Sequence, residues 1–87
     1  MSYRIEIERS AGRELARLEL AVRRRLRQKI QALATDPRPR GAKKLRGSGA
    51  PSLWRVRSGD YRIVYEIRDQ VLVVVVVTVG HRREVYR

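Results

Sequence analysis

The chain has 87 residues, 43% of them hydrophobic, with 21 Lys+Arg against 9 Asp+Glu and a formal net charge of +12. A chain this short buries only about 60–65% of the surface its unfolded form exposes, which fits one globular domain over residues 1–87 and argues against a second domain or a deep cofactor cavity. Zero cysteines and a single histidine exclude thiolate zinc sites, disulfide frameworks and most imidazole-built metal sites. With no signal peptide they point to a cytoplasmic location, and the longest apolar run, 71–79, is far short of the roughly 20 residues a membrane-spanning helix needs.

Tyr3, Ile5 and Ile7 alternate with Arg4, Glu6 and Glu8, the period of a strand with one buried face. Ser10 is the expected N-cap of a short helix, with Arg13 and Glu14 in its first turn. Leu15, Leu18, Val22, Leu26, Ile30 and Leu33 recur every three or four residues, and cations fill the other faces, so the stretch is one long helix or two. Crowding by Leu20 and Ala21 favours a helical hairpin broken near Glu19–Leu20. Pro37 and Pro39 end the helical segment, because proline lacks an N–H and drives its predecessor out of helical geometry.

The basic, glycine-containing stretch from Lys43 to Pro51 reads as a loop or a short edge strand. Leu53–Arg57 and Tyr61–Arg68 then alternate as strands, and Val71–Val79 is apolar on both faces, as a covered central strand is. Strand, helical hairpin and three-stranded antiparallel meander make an α+β domain with helices on one face of a mostly antiparallel sheet.

Eighteen of the 21 cations are Arg, whose planar fork matches phosphate and stays charged at any working pH. A GC-rich coding sequence is the other source of such an excess. The charge is distributed along the chain, with +5 in residues 1–34 and +4 in residues 35–50, so it lies on the fold itself and suits a polyanionic partner.

Arg57-Ser58-Gly59-Asp60 carries a tight turn. A Ser58-Gly59 loop sets Arg55 opposite Arg62 and Trp54 opposite Ile63; a Gly59-Asp60 loop pairs Arg57 with Arg62. Either keeps Arg55, Arg57 and Arg62 on one face, whereas a three-residue loop reverses the grouping, and like charges placed on one face are destabilising unless compensated. Glu66 on that face is one compensator, and a bound polynucleotide phosphate is another. His81, Arg82 and Tyr86 lie in the last stretch, where Arg82, Glu84 and Tyr86 share a side of an extended chain.

Three segments, Pro39-Arg40-Gly41-Ala42-Lys43-Lys44-Leu45-Arg46-Gly47, the run from Trp54 to Ile67, and Val79-Gly80-His81-Arg82-Arg83-Glu84-Val85-Tyr86, together resemble the RelE/ParE superfamily of type II toxins over nearly the whole chain. The last segment leans toward the RelE branch. That resemblance implies the RelE-like microbial RNase fold and a ribosome-dependent endoribonuclease, independent of metal and cofactor, that cuts messenger RNA in the ribosomal A site. It implies as partners a cognate antitoxin, the ribosome with its messenger and ribosomal RNA, and operator DNA only through the antitoxin complex, in a prokaryotic cytoplasm with no membrane association.

By the same resemblance Arg62, Arg82 and Tyr86 are catalytic and Arg55 and Arg57 contact the RNA phosphates; His81, where other members carry Lys or another residue, joins the catalytic set as a modulator, and Lys43 and Lys44 are further expected phosphate contacts. Arg82 is then a stabiliser or acid for the leaving group, and Tyr86 is assigned to the 2′-hydroxyl. Tyr86, with an ordinary pKa near 10, needs adjacent guanidiniums to act as a base, and His81, near 6.5, is the rival titrating group. Arg23, Arg24, Arg25, Arg27 and Lys29 on the basic helix are expected to meet ribosomal RNA, or to form an ordinary solvated face. Arg in place of Lys at 55 and 57 keeps charge but removes any role for a neutral amine. The sequence ends at Arg87, short of the extra C-terminal helix some relatives carry, which bears on antitoxin docking. A ParE-like inhibitor of DNA gyrase is the alternative within the superfamily.

Overall fold

The computed structural model describes residues 2–45 and 53–81. Strand β1 (Arg4–Ile7) leads directly into helices α1 (Arg9–Ala16) and α2 (Leu20–Ala32); β2 (Lys43–Lys44), β3 (Leu53–Ser58), β4 (Tyr61–Arg68) and β5 (Val73–His81) follow. The five strands form one sheet in the order β1-β5-β4-β3-β2. All neighbours are antiparallel except β1, which runs parallel to β5. The helical hairpin breaks over residues 17–19, and among the described residues no helix is long and apolar enough to cross a membrane.

The three-and-four spacing of apolar residues becomes the core. Leu15, Leu26, Ile30 and Leu33 are buried with Ala11 against Val56, Ile63, Tyr65, Val74, Val76 and Val79 of the sheet, and Leu18 and Val22 pack around them. Ser10 does not cap α1. Glu8 takes the N-cap position because its backbone N–H is bonded to the Val76 carbonyl at 2.9 Å and the helix starts at once, leaving Ser10 inside the first turn.

The valine run forms its strand from Val73, two residues later than its composition suggests. Asp69–Val71 is a 3₁₀ turn, Leu72 closes it at φ 55, and Val71 is 65% exposed. The turn is held from outside the hairpin. Arg38 forks onto the Asp69 carboxylate at 2.8 and 3.2 Å, and the Tyr3 hydroxyl donates to it at 2.6 Å. These two donors hold the Asp69 carboxyl down at about 2.

β5 reaches well past the end of β1, which stops with Ile7 opposite Val76. Beyond that point the strand edge needs another acceptor, and α1 supplies one. The Glu14 carboxylate accepts the Val79 N–H at 2.9 Å and the Thr78 hydroxyl at 3.0 Å, satisfying a half-buried donor that is otherwise costly to leave unmade. β5 also carries a register shift: Val64 faces Thr78 but Tyr65 faces Val76, so Val77 is an extra residue. A bulge of this kind reverses which face the following side chains occupy.

Tyr65 is fully buried, and its hydroxyl donates to the Pro37 carbonyl at 2.7 Å. Desolvation pushes its phenol up to about 12, so it stays a neutral donor. Tyr65→Phe leaves that carbonyl without its partner, and a loss of about 1–3 kcal/mol is expected at neutral pH, read as a lowered thermal midpoint. The phenol titrates higher in the folded state than its usual 10, so its contribution is complete below about pH 10 and fades as pH rises toward 12. Alkaline unfolding curves of wild type and Tyr65→Phe therefore converge over that interval.

Candidate functional site

The site is built on the end of the sheet next to the β3–β4 turn. Arg57 faces Arg62 and Ser58 faces Tyr61, which makes Gly59-Asp60 the loop. The alternative with Ser58-Gly59 as the loop, which sets Arg55 opposite Arg62 and Trp54 opposite Ile63, is not the one adopted: Trp54 faces Tyr65, and Val56 faces Ile63. Gly59 sits at φ 61 and no other loop residue is left-handed, the requirement of a two-residue turn with Gly in its first position. Arg25 of α2 lies over this turn, with its Nε donating to Ser58 Oγ at 3.1 Å and Nη2 at 3.1 Å from where a Gly59 Cβ would stand.

Strand alternation places Arg55, Arg57 and Arg62 on the sheet face away from the helices. Arg55 and Arg62 are buried, at 6% and 8% exposure, and Arg57 is exposed. The Nε of Arg55 is shielded from solvent and makes no hydrogen bond among the described residues. A buried guanidinium held this way is costly to the free protein. Glu66 shares the face but does not compensate Arg55 or Arg57: it pairs with Arg68 at 3.2 Å, and the remaining described ion pairs, Arg4–Glu6 and Arg38–Asp69, lie elsewhere. Gly80 lies opposite Arg62.

The other expected residues divide. Lys43 is in register with Arg55 and belongs with the arginines, whereas Lys44 faces Trp54. Arg23 donates to the Ala16 carbonyl at 3.3 Å, at the end of α1, and Arg24 and Arg27 are exposed. Lys29 joins Arg40, Lys43, Arg55 and Arg57 around a concavity of about 270 Å³. Arg40 has no place among the expected site residues, because only the folded turn after α2 brings it to the sheet.

His81 is separated from the arginines. The Val77 bulge turns it to the helix side, opposite Tyr61, with the rings edge to face at 5.7 Å and 77°. There it borders a second cavity of about 390 Å³ with Glu14 and Arg17. Arg82 and Tyr86 lie outside the described residues.

The described residues make a small α+β domain whose sheet carries a cluster of arginines on the face turned away from the helices. The model of the family described as "ParE toxin of type II toxin-antitoxin system, parDE" matches residues 5–86. The chain is 36% identical over 88 residues to the mRNA interferase toxin RelE of Escherichia coli (strain K12), covering 99% of this chain and 92% of that protein. Its fold is similar to the archaeal RelE–RelB complex from Pyrococcus horikoshii OT3, with a TM-score of 0.82 and 31% identity over 97% of this chain and 99% of that one. It is also similar to the toxin–antitoxin complex RelBE2 from Mycobacterium tuberculosis, at 0.81 and 29% over 94% and 100%. The chain belongs to the RelE/ParE superfamily of type II toxins.

Gly59→Ala tests the turn that sets the arginine register. The arginine tip can move aside, so the cost lies in forcing a Cβ to φ 61. A loss of about 1–2 kcal/mol in urea unfolding is expected.

Proposed function

We propose that this protein is the toxin of a type II toxin–antitoxin pair and acts as an mRNA interferase, an endoribonuclease that cuts messenger RNA on the ribosome and is restrained by a cognate antitoxin. One observation carries the reading: Arg57 stands directly opposite Arg62, one pleat from buried Arg55, on a face whose Glu66 is engaged by Arg68. A face that carries this much fixed positive charge favours an anionic ligand. The 36% identity to an mRNA interferase toxin supports RNA as that anion, and the RelE–RelB complexes of similar fold support an antitoxin partner.

The chemistry uses the RNA's own 2′-hydroxyl. A base takes its proton, the 2′-oxygen attacks the adjacent phosphorus, and the bond from phosphorus to the 5′-oxygen breaks. The departing oxygen collects a proton, leaving a 2′,3′-cyclic phosphate and a 5′-hydroxyl. Arg55, Arg57 and Arg62 stabilise the charge that builds on the phosphorane, and they do so as fixed cations because guanidinium does not deprotonate. Tyr86 is the base, a role that requires guanidiniums to favour its phenolate, and Arg82 stabilises the leaving oxygen. His81, held on the helix side against Tyr61, is a modulator in this scheme. Lys43 extends the phosphate contacts along the sheet edge, and the exposed cations of α2 approach ribosomal RNA.

In a ribosome-programmed cleavage assay Arg62→Ala is expected to lose about 10²–10³-fold in rate and Tyr86→Phe about 10²–10⁴-fold, with His81→Ala changed far less. Full activity in Tyr86→Phe with none in His81→Ala reverses the assignment of the base. Expression of the toxin alone followed by mapping of messenger RNA ends checks the reaction itself. Cuts phased with reading frames are expected; intact messages accompanied by gyrase-linked DNA breaks overturn the reading in favour of the ParE-like alternative.

A further inference from the structure

The geometry points to a second phosphodiester site, distinct from the reacting phosphate, in the groove at the open edge of β3. This inference rests on the RNA reading above and names a further contact that the same substrate makes. The groove exists because β2 is only two residues long. Lys43 and Lys44 pair with Arg55 and Trp54, and then the Pro39–Ala42 turn, with Gly41 at φ 91, carries the chain away from the sheet. β3 continues to Ser58, and no described strand pairs with its edge beyond Arg55. The Leu45 N–H bonds the Leu53 carbonyl at 2.8 Å, which sets the alternation along this edge and aims the backbone N–H of Arg57 toward the gap.

Among the described residues, five cations from four elements converge on that gap: Lys29 from the helix layer, Arg40 from the turn, Lys43 from β2, and Arg55 and Arg57 from β3. No carboxylate of the described residues lines it. Its volume of about 270 Å³ falls just below the range of about 300–1,000 Å³ typical of small-molecule pockets, and suits a compact anion better than a stacked base or a peptide helix. A concave site lined by one sign of charge concentrates its counter-ion. Arg55, nine-tenths buried with an unsatisfied Nε, gains most from a ligand fixed close to it. Because Arg55 and Arg57 also belong to the reactive face, the groove is continuous with that face. A phosphodiester of the same RNA strand, outside the bond to be cut, is therefore its occupant. Lys29 and Arg40 are its distinguishing residues, since neither belongs to the reactive set.

The test uses the full-length toxin and a 2′-O-methylated single-stranded RNA, which binds without being cut, with fluorescence anisotropy read over a range of salt. Lys29→Gln combined with Arg40→Gln is expected to weaken binding about ten-fold at low salt and to flatten the slope of log affinity against log salt by about 0.7–1, the loss of one phosphate contact. An unchanged affinity and slope in this variant, with wild type binding RNA normally, overturns the groove and leaves the proposed activity standing. Wild type that cuts no messenger RNA on programmed ribosomes sinks the activity itself. Loss of binding to a poly-glutamate peptide with RNA binding intact also overturns the inference, by giving the groove to an acidic protein. Wild-type protein provides a measurement free of any folding defect: the backbone amide resonances of Gly41 and Arg57 are expected to shift on adding the same RNA, and fixed resonances contradict the site.

Discussion

Everything in this fold is arranged around the need to cover β5. Val73, Val74, Val75 and Val76 are all buried, so both faces and both edges of that segment must be occupied. β1 takes one edge in parallel and β4 the other, and the helices pack over Val74, Val76 and Val79. The chain begins and finishes its described course side by side for this reason. The constraint also explains α1: with β1 ending at Ile7, the remaining edge of β5 takes its acceptor from Glu14. A helix carboxylate thus completes a strand edge, and α1 starts straight from the strand so that Glu14 arrives there.

The charges fall into two populations with different physics. Arg4–Glu6 and Arg38–Asp69 are solvent-exposed pairs, and Arg68 reaches from solvent to the half-buried Glu66, at the other end of the sheet and around the 3₁₀ turn. Pairs of that kind contribute little stability singly, though the Arg38, Asp69 and Tyr3 group ties three segments together. Arg55 and Arg57 form no ion pair among the described residues, and Arg55 is buried as well. The fold tolerates this because Tyr65, Ile63 and the valines bury enough apolar surface beneath, so the cationic end of the sheet is carried by the core rather than by its own interactions. Arg25 shows that the basic helix is not uniform: one of its cations is spent on steadying the β3–β4 turn.

Much of the architecture was legible from local pattern. Alternation marked β1, β3 and β4, the three-and-four spacing marked the faces of α1 and α2, and Pro37 and Pro39 marked the end of the helical segment. Both turn alternatives left Arg55, Arg57 and Arg62 on one face, so that grouping did not depend on which was right. Less legible were the positions where a neighbour in space overrides the local preference. Ser10 lost the cap to Glu8 because a strand bond begins the helix early. Arg40 and Lys29, separated from β3 by whole elements, carry no signal in the sequence that they meet Arg55.

The clearest case is His81. Plain alternation along the valine run puts odd-numbered residues from Val73 to His81 on the arginine face, where the histidine would stand beside Arg62. One extra residue at Val77 reverses the order, so Gly80 takes the place opposite Arg62 and His81 turns to Tyr61. The sequence by itself determined the apolar strand, the basic hairpin and the cationic end of the sheet, because those follow from periods of two and 3.6 that each segment carries alone. Only the tertiary structure decided that His81 turns to Tyr61 on the helix side, because a bulge is a property of how two strands pair and neither strand encodes it alone.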